Sequence, residues 1–108
     1  MCVLTASEAS YIHLALDRLD ISRYFDFIIT CTEIGLYKSN PALFHAVAKR
    51  LGGTAADTIV FEDALYAIKG AKQGGFTVYA IEDPVMEAEK PEIQALADRY
   101  LASYQDLL

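Results

Sequence analysis

The chain has 108 residues and is 54% hydrophobic, which is enough for one packed core and argues against disorder. Nine basic and fifteen acidic residues leave a net charge of −6 with no Lys/Arg cluster, a balance that speaks against nucleic acid and anionic membranes as partners. No apolar run approaches a membrane span, and Met1-Cys2-Val3-Leu4 is too short for a signal peptide, so residues 1–108 read as a single cytoplasmic domain.

Taken in chain order, Cys2 to Leu4 reads as a short strand ending in Thr5-Ala6-Ser7-Glu8, where Thr5 and Glu8 have the spacing of a capping box. Ile12, Leu16 and Leu19 then recur at helical spacing. Phe27-Ile28-Ile29 reads as a second strand, followed by a loop from Thr32 to Ser39. Asn40-Pro41 has the form of an N-cap with proline at the first helical position. That helix carries the apolar stripe Phe44, Val47, Ala48 and Leu51 and stops at Gly52-Gly53. A third strand, Thr58 to Phe61, runs into Glu62-Asp63, and the next helix bears Leu65, Ile68 and Ala71 before Gly74-Gly75. Phe76 to Ile81 is a fourth strand. A last helix within Val85 to Ala97 buries Ile93 and Leu96, with Tyr100 close by, and Arg99 to Ala102 is a candidate edge strand.

The alternation of strand and helix, with apolar runs rather than alternating strands, predicts an α/β domain. Its parallel sheet is expected to be covered on both faces and joined by right-handed crossovers. Cys2 and Cys31 sit in apolar, strand-like segments without CxxC spacing or a nearby histidine pair. They read as reduced, buried thiols rather than zinc ligands.

Three places at strand ends carry chemistry. Thr5 follows the first strand, Lys38 lies in the loop after the second, and Glu62-Asp63 follows the third. Adjacent carboxylates at a strand end cost several kcal/mol to desolvate, roughly, unless a cation compensates them. The carboxyl ends of the strands are also where open α/β sheets place ligands. A hydroxyl can donate to a phosphoryl oxygen, an ammonium can neutralise phosphate charge, and paired carboxylates suit Mg2+, which prefers oxygen ligands. Taken singly, each has a plainer reading: Thr5 or Asp63 as a helix cap, Lys38 as a solvated loop residue, Glu62 as exposed. Glu82-Asp83 reads as a turn before Pro84, with the metal rim as its minor reading. Tyr37, beside Lys38, is placed to line the site mouth. His13 and His45 fall on helices away from strand ends and read as surface residues. The remaining tyrosines read as packed with one polar edge wet.

Three segments together, Leu4-Thr5-Ala6-Ser7, Lys38-Ser39-Asn40-Pro41-Ala42-Leu43-Phe44 and Val60-Phe61-Glu62-Asp63 through Ala71, resemble motifs two, three and four of haloacid dehalogenase-like hydrolases. The β-phosphoglucomutase-like phosphatase branch is the nearest, and Phe25 to Ile29 and Gly74-Gly75-Phe76 fit it too. The resemblance implies a three-layer αβα, partial Rossmann-like fold with a parallel sheet of about four strands. It further implies that Thr5 binds the transferring phosphoryl group, that Lys38 stabilises the nucleophile and its phosphorylated form, and that Asp63 with Glu62 binds Mg2+. Ser39 stands where the family usually has proline, and Ala64 where a hydroxyl residue is common.

The family's nucleophile strand, ending Asp-x-Asp-Gly, has no counterpart among these residues, and neither does the cap domain. The chain therefore resembles the C-terminal half of such an enzyme, with the central motif-one strand missing and a two-plus-two sheet flanking a hole. The isolated chain is expected to be catalytically incompetent, with weak or no Mg2+ binding. Either the halves close up, or a second copy packs across the gap, or a complementary half-chain completes it; closure or self-association is the favoured expectation. A non-catalytic interaction module is the alternative, and a phosphorylated small molecule is the expected substrate if the site is completed. A receiver-like domain is disfavoured by the order Thr, Lys, acids. A dinucleotide-binding domain is disfavoured by the lack of glycine after the first strand.

Overall fold

The computed structural model describes residues 1–108. Five strands and five helices follow in the order β1 (Cys2–Thr5), α1 (Ala9–Arg18), β2 (Phe27–Thr30), α2 (Cys31–Ile34), α3 (Pro41–Arg50), β3 (Ile59–Glu62), α4 (Leu65–Gln73), β4 (Thr77–Ile81), α5 (Lys90–Leu96) and β5 (Arg99–Leu101). Short 3-10 turns at Ser22–Tyr24, Ala55–Asp57, Pro84–Glu89 and Tyr104–Leu107 join or follow them. The α/β reading holds, and every strand pair is parallel.

The strands number five rather than about four, because Arg99–Leu101 adds in parallel to β4. They form two separate sheets, β1-β2 and β3-β4-β5, with no hydrogen-bonded ladder between β1 and β3. The expected closure of the two halves therefore does not occur within the chain. β1 and β3, which face the gap between the halves, each keep an edge without a strand neighbour, as do the outer strands β2 and β5, an arrangement prone to pairing with another chain.

The core gathers Phe44 and Ala48 of α3, Ile68 and Ala71 of α4, Phe76 just before β4, Val78 and Ala80 in β4, and Ile93 of α5. Leu4 of β1 and Val60 of β3 pack against this cluster, so apolar contact, not a backbone ladder, holds the two sheets together. The opposite face of β3 is open: Ile59 and Phe61 are 48% and 43% exposed. The terminal turn approaches that face, with the Tyr104 ring 6.1 Å from Phe61.

Local signals mostly hold. Asn40 caps α3, its Oδ1 accepting from the Ala42 amide at 3.0 Å, with Pro41 first in the helix. Gly52 and Gly75 end α3 and α4 with φ of +83° and +85°, a left-handed turn that glycine adopts without steric cost.

The Thr5–Glu8 capping box does not form. Glu8 itself is the cap residue of α1 and makes no side-chain cap bond. Thr5 Oγ1 instead accepts from the Ser7 amide at 2.9 Å, a tighter local turn that withdraws the hydroxyl from the helix. Leu16 is the buried residue of α1, whereas Leu19 is exposed just past the helix end. The expected loop after β2 contains α2, capped by Thr30 Oγ1 accepting from the Glu33 amide, so Cys31 is buried in a helix rather than a strand. Tyr11, Tyr24, Tyr37, Tyr66 and Tyr104 are more exposed than packed tyrosines. No helix is long and apolar enough to cross a membrane.

Candidate functional site

The apolar run of β3 ends at Glu62, whose side chain is nearly buried. Its carboxylate is fully engaged. Oε2 accepts from the Lys38 ammonium at 2.9 Å, and Oε1 accepts from the backbone amides of Asp63 at 3.0 Å and Ala64 at 3.3 Å. Those amides belong to the turn entering α4, so the carboxylate that bonds this turn is Glu62, not Asp63. Ala64 at the cap position has no side-chain bond of its own. Burial pushes the Glu62 carboxyl upward, but hydrogen bonding with Asp63 and the charge and hydrogen bond of Lys38 outweigh it. The net effect holds Glu62 below the ordinary carboxylate range.

Lys38 comes from a tight turn before α3, closed by the Asn40 amide donating to the Tyr37 carbonyl at 3.0 Å. Its side chain is also nearly buried, so it is not a solvated loop lysine. Lys38, Glu62 and Asp63 line one cleft of about 310 Å³, and Leu4 and Phe61 form its apolar wall. Two further carboxylates, Glu82 and Asp83, line the same cleft. Their strand explains their arrival: β4 runs parallel beside β3 with Ala80 opposite Glu62, so the chain leaving β4 emerges on the same rim.

Glu82 is paired with Lys90 at 2.8 Å and lies 3.4 Å from the Tyr100 hydroxyl. The Lys90 hydrogen bond and charge hold it below its usual range, while Lys90 is raised by the same pair. Asp83 Oδ1 accepts from the Val85 amide, capping the turn that starts at Pro84. The sequence carries a signal for this pair, since an apolar run followed by Glu-Asp occurs at both strand ends, at 59–63 and 78–83.

Thr5 sits at the end of β1, buried and bonded to Ser7. Its neighbour Leu4 lines the cleft, but Thr5 does not. Tyr37 is 82% exposed and is absent from the cleft wall. His13 and His45 are exposed; His45 rests on the Phe76 ring at 5.1 Å.

Although four carboxylates line the cleft, no three carboxylate, histidine or cysteine side chains come close enough together to hold a metal ion between them. Mg2+ commonly binds through one or two carboxylates and several waters. Asp63 fits that role, and Glu62 fits it only as an oxygen already shared with Lys38. The donor set thus fits the ion in part.

A family model described as haloacid dehalogenase-like hydrolase matches residues 1–75. The chain belongs to that family. It is 32% identical over 75 residues to fructose-1-phosphate phosphatase YqaB of Escherichia coli, covering 69% of this chain and 40% of that protein. It is also 32% identical over 60 residues to the phosphorylated carbohydrates phosphatase of Thermotoga maritima, covering 56% of this chain and 28% of that one. The chain therefore spans less than half the length of these relatives. Its fold matches that of the haloacid dehalogenase-like protein ATU0790 from Agrobacterium tumefaciens, with a TM-score of 0.81 and 22% identity over 98% of this chain and 50% of that one. L-2-haloacid dehalogenase from Xanthobacter autotrophicus matches at a TM-score of 0.77, with 18% identity over 98% of this chain and 52% of that one. Membership accounts for the parallel α/β architecture.

Proposed function

We propose that this chain carries the ammonium and acid half of a Mg2+-dependent phosphatase site acting on a phosphorylated small molecule, and that alone it does not turn substrate over. The observation that carries the reading is the convergence of Lys38, Glu62 and Asp63 in one cleft at the strand ends. In this role Lys38 faces the phosphoryl group and the attacking carboxylate, and Asp63 holds the metal with Glu62 behind it; Thr5, outside the cleft and bonded to Ser7, would have to turn its hydroxyl toward the phosphate to take part. Mg2+ supplies Lewis-acid polarisation of the phosphoryl oxygens when bound. The similarity to sugar-phosphate phosphatases favours a phosphorylated carbohydrate as substrate.

Nothing among the 108 residues provides the family's Asp-x-Asp-Gly nucleophile, which is why turnover is not expected. Inactivity is tested with a generic phosphomonoester and Mg2+: no hydrolysis above the Asp63→Asn variant is expected. Robust Mg2+-dependent hydrolysis abolished by Asp63→Asn overturns the inactive half of the reading. The phosphate half is tested by NMR titration with Mg2+ and inorganic phosphate. Joint perturbation of Lys38 and Asp63 supports it, and unperturbed resonances at saturating ligand overturn it.

A second reading, a module completed by another copy or by a complementary chain, is favoured by the unpaired edges of β1 and β3. Light scattering separates its forms, because a clean monomer at high concentration removes self-association. Either reading suits the cytoplasm, where Cys2 and Cys31 stay as free thiols.

A further inference from the structure

Gly70 occupies the middle of α4 at a buried position, where alanine would serve the helix better. The reason for glycine lies across the interface. A Cβ at this position would collide with the Lys38 carbonyl oxygen and stand 3.0 Å from the Ser39 carbonyl carbon and 3.1 Å from the Ser39 Cα. All of these are backbone atoms, so no side-chain rotation relieves the clash.

The two partners of the Lys38–Glu62 pair are tied to this contact from opposite sides. Only Asp63 and Ala64 separate Glu62 from α4, and the Ala64 carbonyl accepts from the amides of Ala67 and Ile68 at 3.1 and 3.0 Å. The first turn of α4 is thereby locked to the strand end, and the helix carries that reference rigidly to Gly70. On the other side, the Asn40–Tyr37 backbone bond and the Asn40 cap of α3 hold the Lys38–Ser39 peptide in a fixed turn.

We propose that Gly70 is a positioning residue: its missing side chain lets the Lys38–Ser39 backbone press against α4, and this contact places the Lys38 ammonium on Glu62 in the cleft. The functional weight of the device rests on the reading of Lys38 as the phosphate-facing ammonium, whereas the placement itself does not.

The test uses the full 108-residue chain, without phosphate or metal, so its failure is distinct from failure of the phosphatase reading. In the wild-type chain, nuclear Overhauser contacts between the Gly70 α protons and the Ser39 α proton are expected. Their absence overturns the proposal before any variant is made. The side-chain ammonium of Lys38 should give a slowly exchanging signal with a hydrogen-bond coupling to the Glu62 carboxylate carbon. Gly70→Ala should lose that signal while keeping the one from the Lys90–Glu82 pair on the same rim. Ala71→Gly, which disturbs the same helix without crowding the loop, should keep both. A folded Gly70→Ala chain that retains the Lys38 coupling refutes the assignment, as does loss of the coupling in Ala71→Gly.

Discussion

The Lys38 ammonium lies 2.9 Å from Glu62 Oε2, joining residues 24 positions apart across the end of β3, with both side chains nearly buried. Nothing else in the fold links the loop before α3 to the acid rim by charge. Removing the ammonium leaves a desolvated carboxylate with only two amide partners. Lys38→Met is therefore expected to destabilise the chain by about 3 kcal/mol, the scale for breaking a buried pair. Adding Glu62→Gln, which keeps an acceptor for the Asp63 and Ala64 amides, should recover a large part of that loss. Urea unfolding of the two single variants and the double variant measures the coupling. Simple additivity would show that the pair carries no energy.

Glu62 makes stability depend on pH in a set direction. Its folded-state pKa is depressed, because Asp63 and Lys38 outweigh the effect of burial. Its contribution is therefore complete above the unfolded-chain value, about 4.3, and drains away as pH falls through the lower folded value. Glu82 and Asp98 are depressed as well and act in the same acidic window. The difference between wild type and Glu62→Gln isolates the Glu62 share. That difference should shrink from pH 6 toward pH 3, about where the carboxylates titrate. Chemical denaturation along a pH series reads it, and a constant difference contradicts the assignment.

Asp98 clamps the three-stranded sheet. Its Oδ2 accepts from the Val78 amide at 2.8 Å and from the Lys72 ammonium at 2.9 Å, and its own amide donates to the Val78 carbonyl. Val78 is fully buried, so Asp98→Ala strands an amide and should cost about 1–3 kcal/mol. Lys72→Met removes only a half-exposed ion pair and should cost less than about 1 kcal/mol. Equal losses from the two variants would mean that the ion pair, not the amide bond, holds the strand crossing.

The two faces of the β3-β4-β5 sheet should respond unequally to truncation. Phe76 is 2% exposed within the core, and Phe76→Ala should cost about 3–5 kcal/mol. Phe61 keeps aromatic contacts with Tyr79 and Tyr104, but its face is open, and Phe61→Ala should cost about 1 kcal/mol. A loss at Phe61 as large as that at Phe76 in the isolated chain would mean that this face is covered in solution, and a concentration dependence of the loss would identify a second copy as the cover.

What the sequence by itself determined is local. Asn40-Pro41 caps α3 because the cap bond spans two residues. Gly52 and Gly75 end their helices because a single residue must take a left-handed turn. The run Ile59 to Glu62 reads as a strand from its β-branched and aromatic residues, although only Val60 packs against the core while Ile59 and Phe61 stay exposed. Motif order along the chain was enough to point to the family, since each motif is a short stretch read where it stands. Tertiary structure decided which charges meet. Glu62 holds Lys38 and the start of α4 instead of facing solvent, because the crossover after β2 brings the Lys38 turn over the end of β3. Glu82 and Asp83 reach the same cleft through the β3-β4 register. Thr5 turned to Ser7, because a two-residue bond outcompeted the longer reach to the helix start. The division into two sheets was settled by backbone pairing between strands distant in sequence. No helical period or capping pattern encodes that pairing, because each ladder bond depends on where a second strand lies.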